Sequence, residues 1–178
     1  MLRILIAGLL GCIAMYAWSS IAHGATDLGM IGVSTLPNES VTVDNLASSI
    51  GDKGGLFMFP MNTSTAASVA AAPGGLLVYS PKSPMSMQTS SLVIEFFTEL
   101  VEAILAAWLL AQTALAGFAR RAGFIAAIGV IAAIVTNVPY WNWYSFPLSY
   151  TLAQMLITVV AWILAGVAIA AYLRPRAA

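Results

Sequence analysis

The stretch from Tyr150 to Leu173 carries no charged residue along its whole length. A helix rises about 1.5 Å per residue and the hydrocarbon layer of a bilayer is about 30 Å thick, so about 20 apolar residues in a row are enough to cross it. Three more segments meet or approach that length: residues 1–22, where Arg3 is the one charge, residues 90–118, and the shorter run 122–138. A mismatch of a few residues is absorbed by tilt and local changes in bilayer thickness. The predicted fold is therefore membrane all-α, a four-transmembrane-helix bundle closed by residues 150–173, with a small α+β extracytoplasmic segment, residues 23–89, between helices 1 and 2. Composition agrees, with 60% hydrophobic and 8% charged residues and a mean hydropathy of +0.89 over 178 residues. Soluble domains carry roughly a quarter charged residues.

Basic residues set the expected orientation, because Lys and Arg collect in short cytoplasmic loops. Arg3, Arg120, Arg121, Arg174 and Arg176 fall on one side of a four-span chain, and Lys53 and Lys82 lie in the long loop opposite. Both termini are thus predicted to be cytoplasmic. A cleaved signal peptide is the alternative for the first span, with Arg3 as its basic region and Ala22-His23-Gly24 as a small-residue exit. Its apolar stretch exceeds the about 7 to 15 residues of such peptides, which favours retention. Leu9-Leu10-Gly11-Cys12 also resembles a lipoprotein processing site, but the apolar run continues through Trp18.

Net charge is +0 and no basic run is present, so a nucleic-acid partner is not expected. The lone Cys12 excludes an internal disulfide framework and a Cys-rich metal site. No cofactor is implied.

Within the outer segment, residues 39–50 read as a short helix, with Asn38 or Ser40 as N-cap and Gly51 to Gly55 as its end. Residues 56–60 and 75–80 are apolar runs bounded by Gly and Pro, the pattern of two buried strands in a small antiparallel hairpin. Asn62 to Pro73 reads as a loop. Gly54-Gly55 and Gly74-Gly75 lack the strand, helix and lysine of a phosphate loop and read as turns. Asn62-Thr63-Ser64 matches a glycosylation acceptor, which carries no meaning in a bacterial protein.

Several of these residues carry a resemblance. Trp18 and His23, Leu36-Pro37-Asn38-Glu39, Gly55 to Pro60, Gly75 to Tyr79, Glu95-Phe96 and Val138 to Tyr144 resemble an uncharacterised family of bacterial four-span membrane proteins. Met61 replaces the glycine expected after the proline. The resemblance implies a multi-pass protein of the bacterial cytoplasmic (inner) membrane, and it brings no activity.

Chemistry has one obvious place to sit. Glu95, Glu99 and Glu102 are spaced i, i+4 and i+7, which puts them on one stripe of the second helix. Counting from Arg120 along a helix reaching Phe118 puts Glu102 about 27 Å up, just inside the outer boundary. The same count brings His23 and Gln154 to about 30 Å and Asn137 to about 24 Å, so the six residues form one outer polar layer. A histidine with carboxylates suits a divalent cation, and intramembrane carboxylates are functional candidates. The competing expectation is anchoring, in which the glutamates bond to backbone groups of the outer segment or pair with Lys53 and Lys82. Residues 139–149 are predicted to be an outer aromatic loop, with Tyr140, Trp141, Trp143 and Tyr144 at the headgroup level.

Small residues at spacings of three or four, Ala7 and Gly11, then Ala122, Ala126, Gly129 and Ala133, then Gly166 and Ala170, allow close helix packing in lipid. The expected role is a binding or accessory membrane protein, with the lipid bilayer and a protein partner or second copy as its contacts. A small transporter or channel would have only Gln112, Thr113, Thr136 and Thr158 to line a path. A membrane metalloenzyme has a single histidine to work with.

Overall fold

The computed structural model describes residues 1–61, 65–82 and 89–174. The acceptor pattern at 62–64 and Arg176 lie outside the described residues. Helix α1 spans Leu2–Gly24, α2 Glu39–Ile50, α3 Ala66–Ala71, α4 Thr89–Ala111, α5 Phe118–Tyr144 and α6 Leu148–Tyr172. Strands β1 (Gly55–Phe59) and β2 (Gly75–Tyr79) form the hairpin, paired antiparallel with Leu56 opposite Val78 and Met58 opposite Leu76. Helices α1, α5 and α6 are each long and apolar enough to cross a membrane. The three glutamates of α4 set it apart from them.

The long helices pack in the order α4, α1, α6, α5, each along its neighbour, and α4 meets α5 only sparsely. Neighbours run antiparallel: Gly8 of α1 lies against Ile104 of α4, Gly11 against Ile169 of α6, and Gly129 of α5 against Trp162 of α6. A Cβ on Gly8 would fall 2.7 Å from the Ile104 Cα, and one on Gly166 would fall 2.8 Å from the Ala122 carbonyl oxygen. These glycines therefore set how closely the backbones approach, as packing between helices in lipid requires. Ala103, Ala107, Leu110, Ile125, Trp162, Ala165 and Ile169 fill the space between. The Trp18 indole Nε1 donates to the Ile157 carbonyl at 3.0 Å, joining α1 to α6.

Four expectations need correction, the first being that Ala66–Ala71, within the segment expected to be a loop, form helix α3. Helix α4 stops at Ala111, not Phe118, because Thr113 Oγ1 donates to the Leu110 carbonyl and Gly117 takes a positive φ of 82° that starts α5. Helix α5 runs on to Tyr144 through Pro139, so the first half of the predicted aromatic loop is helical. Proline removes one backbone donor, but lipid offers the backbone no other partner, which favours keeping the remaining helical bonds. Ser145, at φ 58°, ends the helix. The hairpin strands, expected to be buried, are exposed along most of β1 and half-buried along most of β2, and among the described residues none from His23 to Thr98 is buried.

A turn that sequence pattern did not suggest lies just beyond α1. Thr26 Oγ1 accepts from the Leu28 amide at 3.2 Å and caps a 3-10 turn over Asp27–Met30. In the α2 region, Asn38 occupies the N-cap in a left-handed conformation, φ 51°, without a side-chain cap bond.

Candidate functional site

The six residues of the predicted polar layer separate into three groups. The first is the glutamate stripe. Glu99 is 8% exposed and its Oε1 accepts from Ser19 Oγ of α1 at 2.9 Å. Its other oxygen, Oε2, is buried with no hydrogen-bond partner among the described residues. Glu95 and Glu102 point outward. The partner Glu99 has is thus a hydroxyl on a neighbouring long helix, and neither the outer segment nor a lysine supplies it.

Depth changes as well. Glu102 lies nine residues before the end of α4 at Ala111, about 14 Å along the axis, and Glu99 about 18 Å. The earlier count assumed that the helix continued to Phe118. With the turn at residues 112–117, Glu102 lies about 14 Å from the end of α4, so the count no longer brings it to the level of His23.

The second group holds the 3-10 turn. His23 Nδ1 lies 3.1 Å from the Ser19 carbonyl, one helical turn back. Its ring packs so tightly on Gly29 that a Cβ there would meet His23 Cδ2 at 2.7 Å. From the other side Gln154 Nε2 donates to the Gly29 carbonyl at 3.4 Å. Gly32, at φ +80°, then passes against the Tyr150 backbone, where a Cβ would meet the amide nitrogen at 2.6 Å. His23 and Gln154 therefore seat the start of the outer segment on α1 and α6. Among the described residues no three His, Cys, Asp or Glu side chains are grouped so as to hold one metal ion.

The third group is a cavity of about 300 Å³ between α5 and α6, where Asn137 and Gln154 do converge, with Tyr140, Phe146, Tyr150 and Thr151 around them. Most polar groups here bond within their own helix. Asn137 Nδ2 donates to the Ala133 carbonyl at 2.9 Å, Thr151 Oγ1 to the Pro147 carbonyl at 3.1 Å, and Thr158 Oγ1 to the Gln154 carbonyl at 2.9 Å. Above them the rings of Tyr140, Phe146 and Tyr150 stack in sequence, with centroids 5.2 Å and 5.6 Å apart, and Tyr144 adds a contact at 5.8 Å. Trp141 and Trp143 stay outside that stack, and Trp143 is 77% exposed, as a ring at the headgroup level is.

Sequence reasoning passed over Ser19 and over the burial of Arg121. Ser19 sits four residues before His23 and on the same helix face, which was the available signal. No family model, curated protein or solved structure matches the chain at a significant level.

Proposed function

We propose that this chain is an accessory or binding protein of a bacterial inner membrane, crossing it four times with both ends in the cytoplasm and offering its outer segment to a protein partner. The observation that carries the reading is the apolar hairpin face that no described residue covers. Leu56, Met58 and Val78 occupy one face of the two strands at 67%, 48% and 76% exposure. An isolated two-stranded hairpin is marginal in water, and contiguous exposed apolar patches mark interaction sites. Each strand also has a free edge, the template for strand addition by a partner chain.

The fourth crossing is assigned to α4, which packs antiparallel along α1 and so shares its depth. The orientation rests on the arginines. A conduit is disfavoured, because Cys12, Leu110, Ile125, Trp162 and Ile169 fill the interior with apolar side chains.

A photo-crosslinking residue at position 56 or 78, in membranes of the source organism, is expected to give one discrete protein adduct. The same residue at the exposed Asp44 of α2 should give none. With the crosslinking residue at position 56, Met58→Asp with Val78→Asp should abolish the adduct without loss of folded protein, since both side chains are exposed. Adducts to lipid alone, or the same pattern from all three positions, would overturn the proposal.

A further inference from the structure

At the end of the helices opposite the hairpin, where α1 begins, α4 turns into α5 and α6 finishes, lies a cavity of about 700 Å³. Arg3, Arg121 and Arg174 line it, and no acidic residue does. Arg121 is only 4% exposed. Its Nη1 donates to the Leu115 carbonyl at 3.3 Å and its Nη2 to the Leu173 carbonyl, while Nε is buried without a hydrogen-bond partner among the described residues.

Carbonyls satisfy guanidinium donors but supply only partial charge, and arginine does not deprotonate in proteins. A full counter-charge has to come from elsewhere. The sequence has seven acidic residues. Asp27, Glu39, Asp44 and Asp52 belong to the outer segment, and the nearest of the others, Glu102, is nine residues up α4 from Ala111. Among the described residues the chain therefore brings three guanidinium groups to one cavity and no acidic side chain to meet them.

The remaining walls narrow the chemistry. Gln112 and Thr113 add polar groups to the lining, and Leu2, Ile4 and Leu115 give it an apolar wall. Guanidinium groups match the oxygens of phosphate through paired N–H bonds. A volume of this size accommodates a small organic ligand and exceeds what a bare phosphate needs.

We propose that this cavity binds a phosphate-bearing anion, held by Arg3, Arg121 and Arg174. The apolar wall favours the phosphodiester headgroup of an anionic phospholipid, entered from the adjoining leaflet, over free phosphate. Basic pockets between membrane helices at the cytoplasmic side take such headgroups elsewhere.

The test uses the full chain in phosphate-free detergent solution, with short-chain phosphatidylglycerol, short-chain phosphatidylcholine and inorganic phosphate as probes. Thermal unfolding is followed against probe concentration, since a ligand of the native state must raise Tm in a saturable way. The expected result is a saturable rise with phosphatidylglycerol and a weaker one with phosphatidylcholine. In Arg3→Gln/Arg174→Gln the apparent affinity should fall at least about tenfold, the worth of one charge-assisted hydrogen bond. Arg3 and Arg174 are both exposed, so that pair separates binding from folding, whereas Arg121→Gln also removes two bonds to the chain. Equal response to inorganic phosphate, lost in the same variant, would identify the ligand as free phosphate and uphold the site. No saturable response to any phosphate probe, or an unchanged response in the double variant, would refute it.

Discussion

Glycine to alanine at two positions of one helix should change stability in opposite directions. Gly123 and Gly129 both lie inside α5, six residues apart. A Cβ on Gly123 meets nothing within 4 Å, whereas one on Gly129 would fall 2.1 Å from the Trp162 Cβ and 2.5 Å from its Cγ. Gly123→Ala thus gains helix propensity alone, up to about 1 kcal/mol. Gly129→Ala gains the same amount and must also part α5 from α6, because the Trp162 Cβ is fixed to its backbone and cannot swing away. Restoring an ordinary carbon contact of about 3.5 Å needs a separation of more than 1 Å, and gaps of that size forfeit a quarter to a half of each contact along the seam. Overpacking costs about 1–3 kcal/mol, and a collision this close belongs at the upper end, which leaves a net loss of about 2 kcal/mol. Reversible unfolding of both variants in mixed micelles, compared with the parent protein, measures the difference directly. Equal stability of Gly129→Ala and Gly123→Ala would show that α5 and α6 do not approach as closely as described.

Other substitutions address the contacts between elements. Ser19→Ala should destabilise by about 1–3 kcal/mol or more by leaving Glu99 without its partner. Glu99→Gln should raise Tm, because the amide keeps an oxygen for Ser19 and removes a buried charge; a fall matching that of Ser19→Ala would mean that the second oxygen has a partner. Trp18→Phe removes the bond to Ile157 and should cost about 0.5–1.5 kcal/mol in the same unfolding assay. Cysteines placed at positions 45 and 142 should react with an impermeant maleimide from outside intact cells, and one at 120 only after lysis; labelling of 120 in intact cells would reverse the proposed orientation.

The long helices were legible because lipid imposes a length and an apolar composition that few other structures require. The helix over Glu39–Ile50 and the pairing of Gly55–Phe59 with Gly75–Tyr79 were legible from Asn, Gly and Pro punctuation. What escaped depended on tertiary contact. The small-residue pattern picked out Ala7 and Gly11, but Gly8 makes the tighter approach to α4, since the choice among neighbours depends on how the helices are rotated. The end of α4 escaped because Gln112 to Gly117 carries no charge and no proline to mark a stop; Thr113 and the positive φ of Gly117 break it. Of the polar layer, His23 and Gln154 both bear on the 3-10 turn and Asn137 and Gln154 share a cavity, while the count that placed Glu102 beside them fails at that boundary. Convergence is a property of rotation about each helix axis, which a single sequence does not encode residue by residue.

The displaced boundary bears on the proposed partner. Helix α4 stands at the edge of the layer, with α1 on one side and only sparse contact to α5. On its outward surface Glu102 is exposed about 14 Å from the helix end, beside Val101 and Leu105. If α4 crosses the membrane as proposed, a carboxylate facing hydrocarbon near mid-depth costs about 2.5–3.5 kcal/mol even on the more lenient insertion scales. Among the described residues nothing covers Leu56 and Val78 of the hairpin, and β2 ends at Tyr79, ten residues before α4 begins at Thr89. A partner that itself spans the membrane would meet Glu102 with a polar group inside it and the face of Leu56, Met58 and Val78 outside it. Two unfavourable exposures, on α4 and on the hairpin that precedes it in the chain, argue for a neighbour more strongly than either does alone.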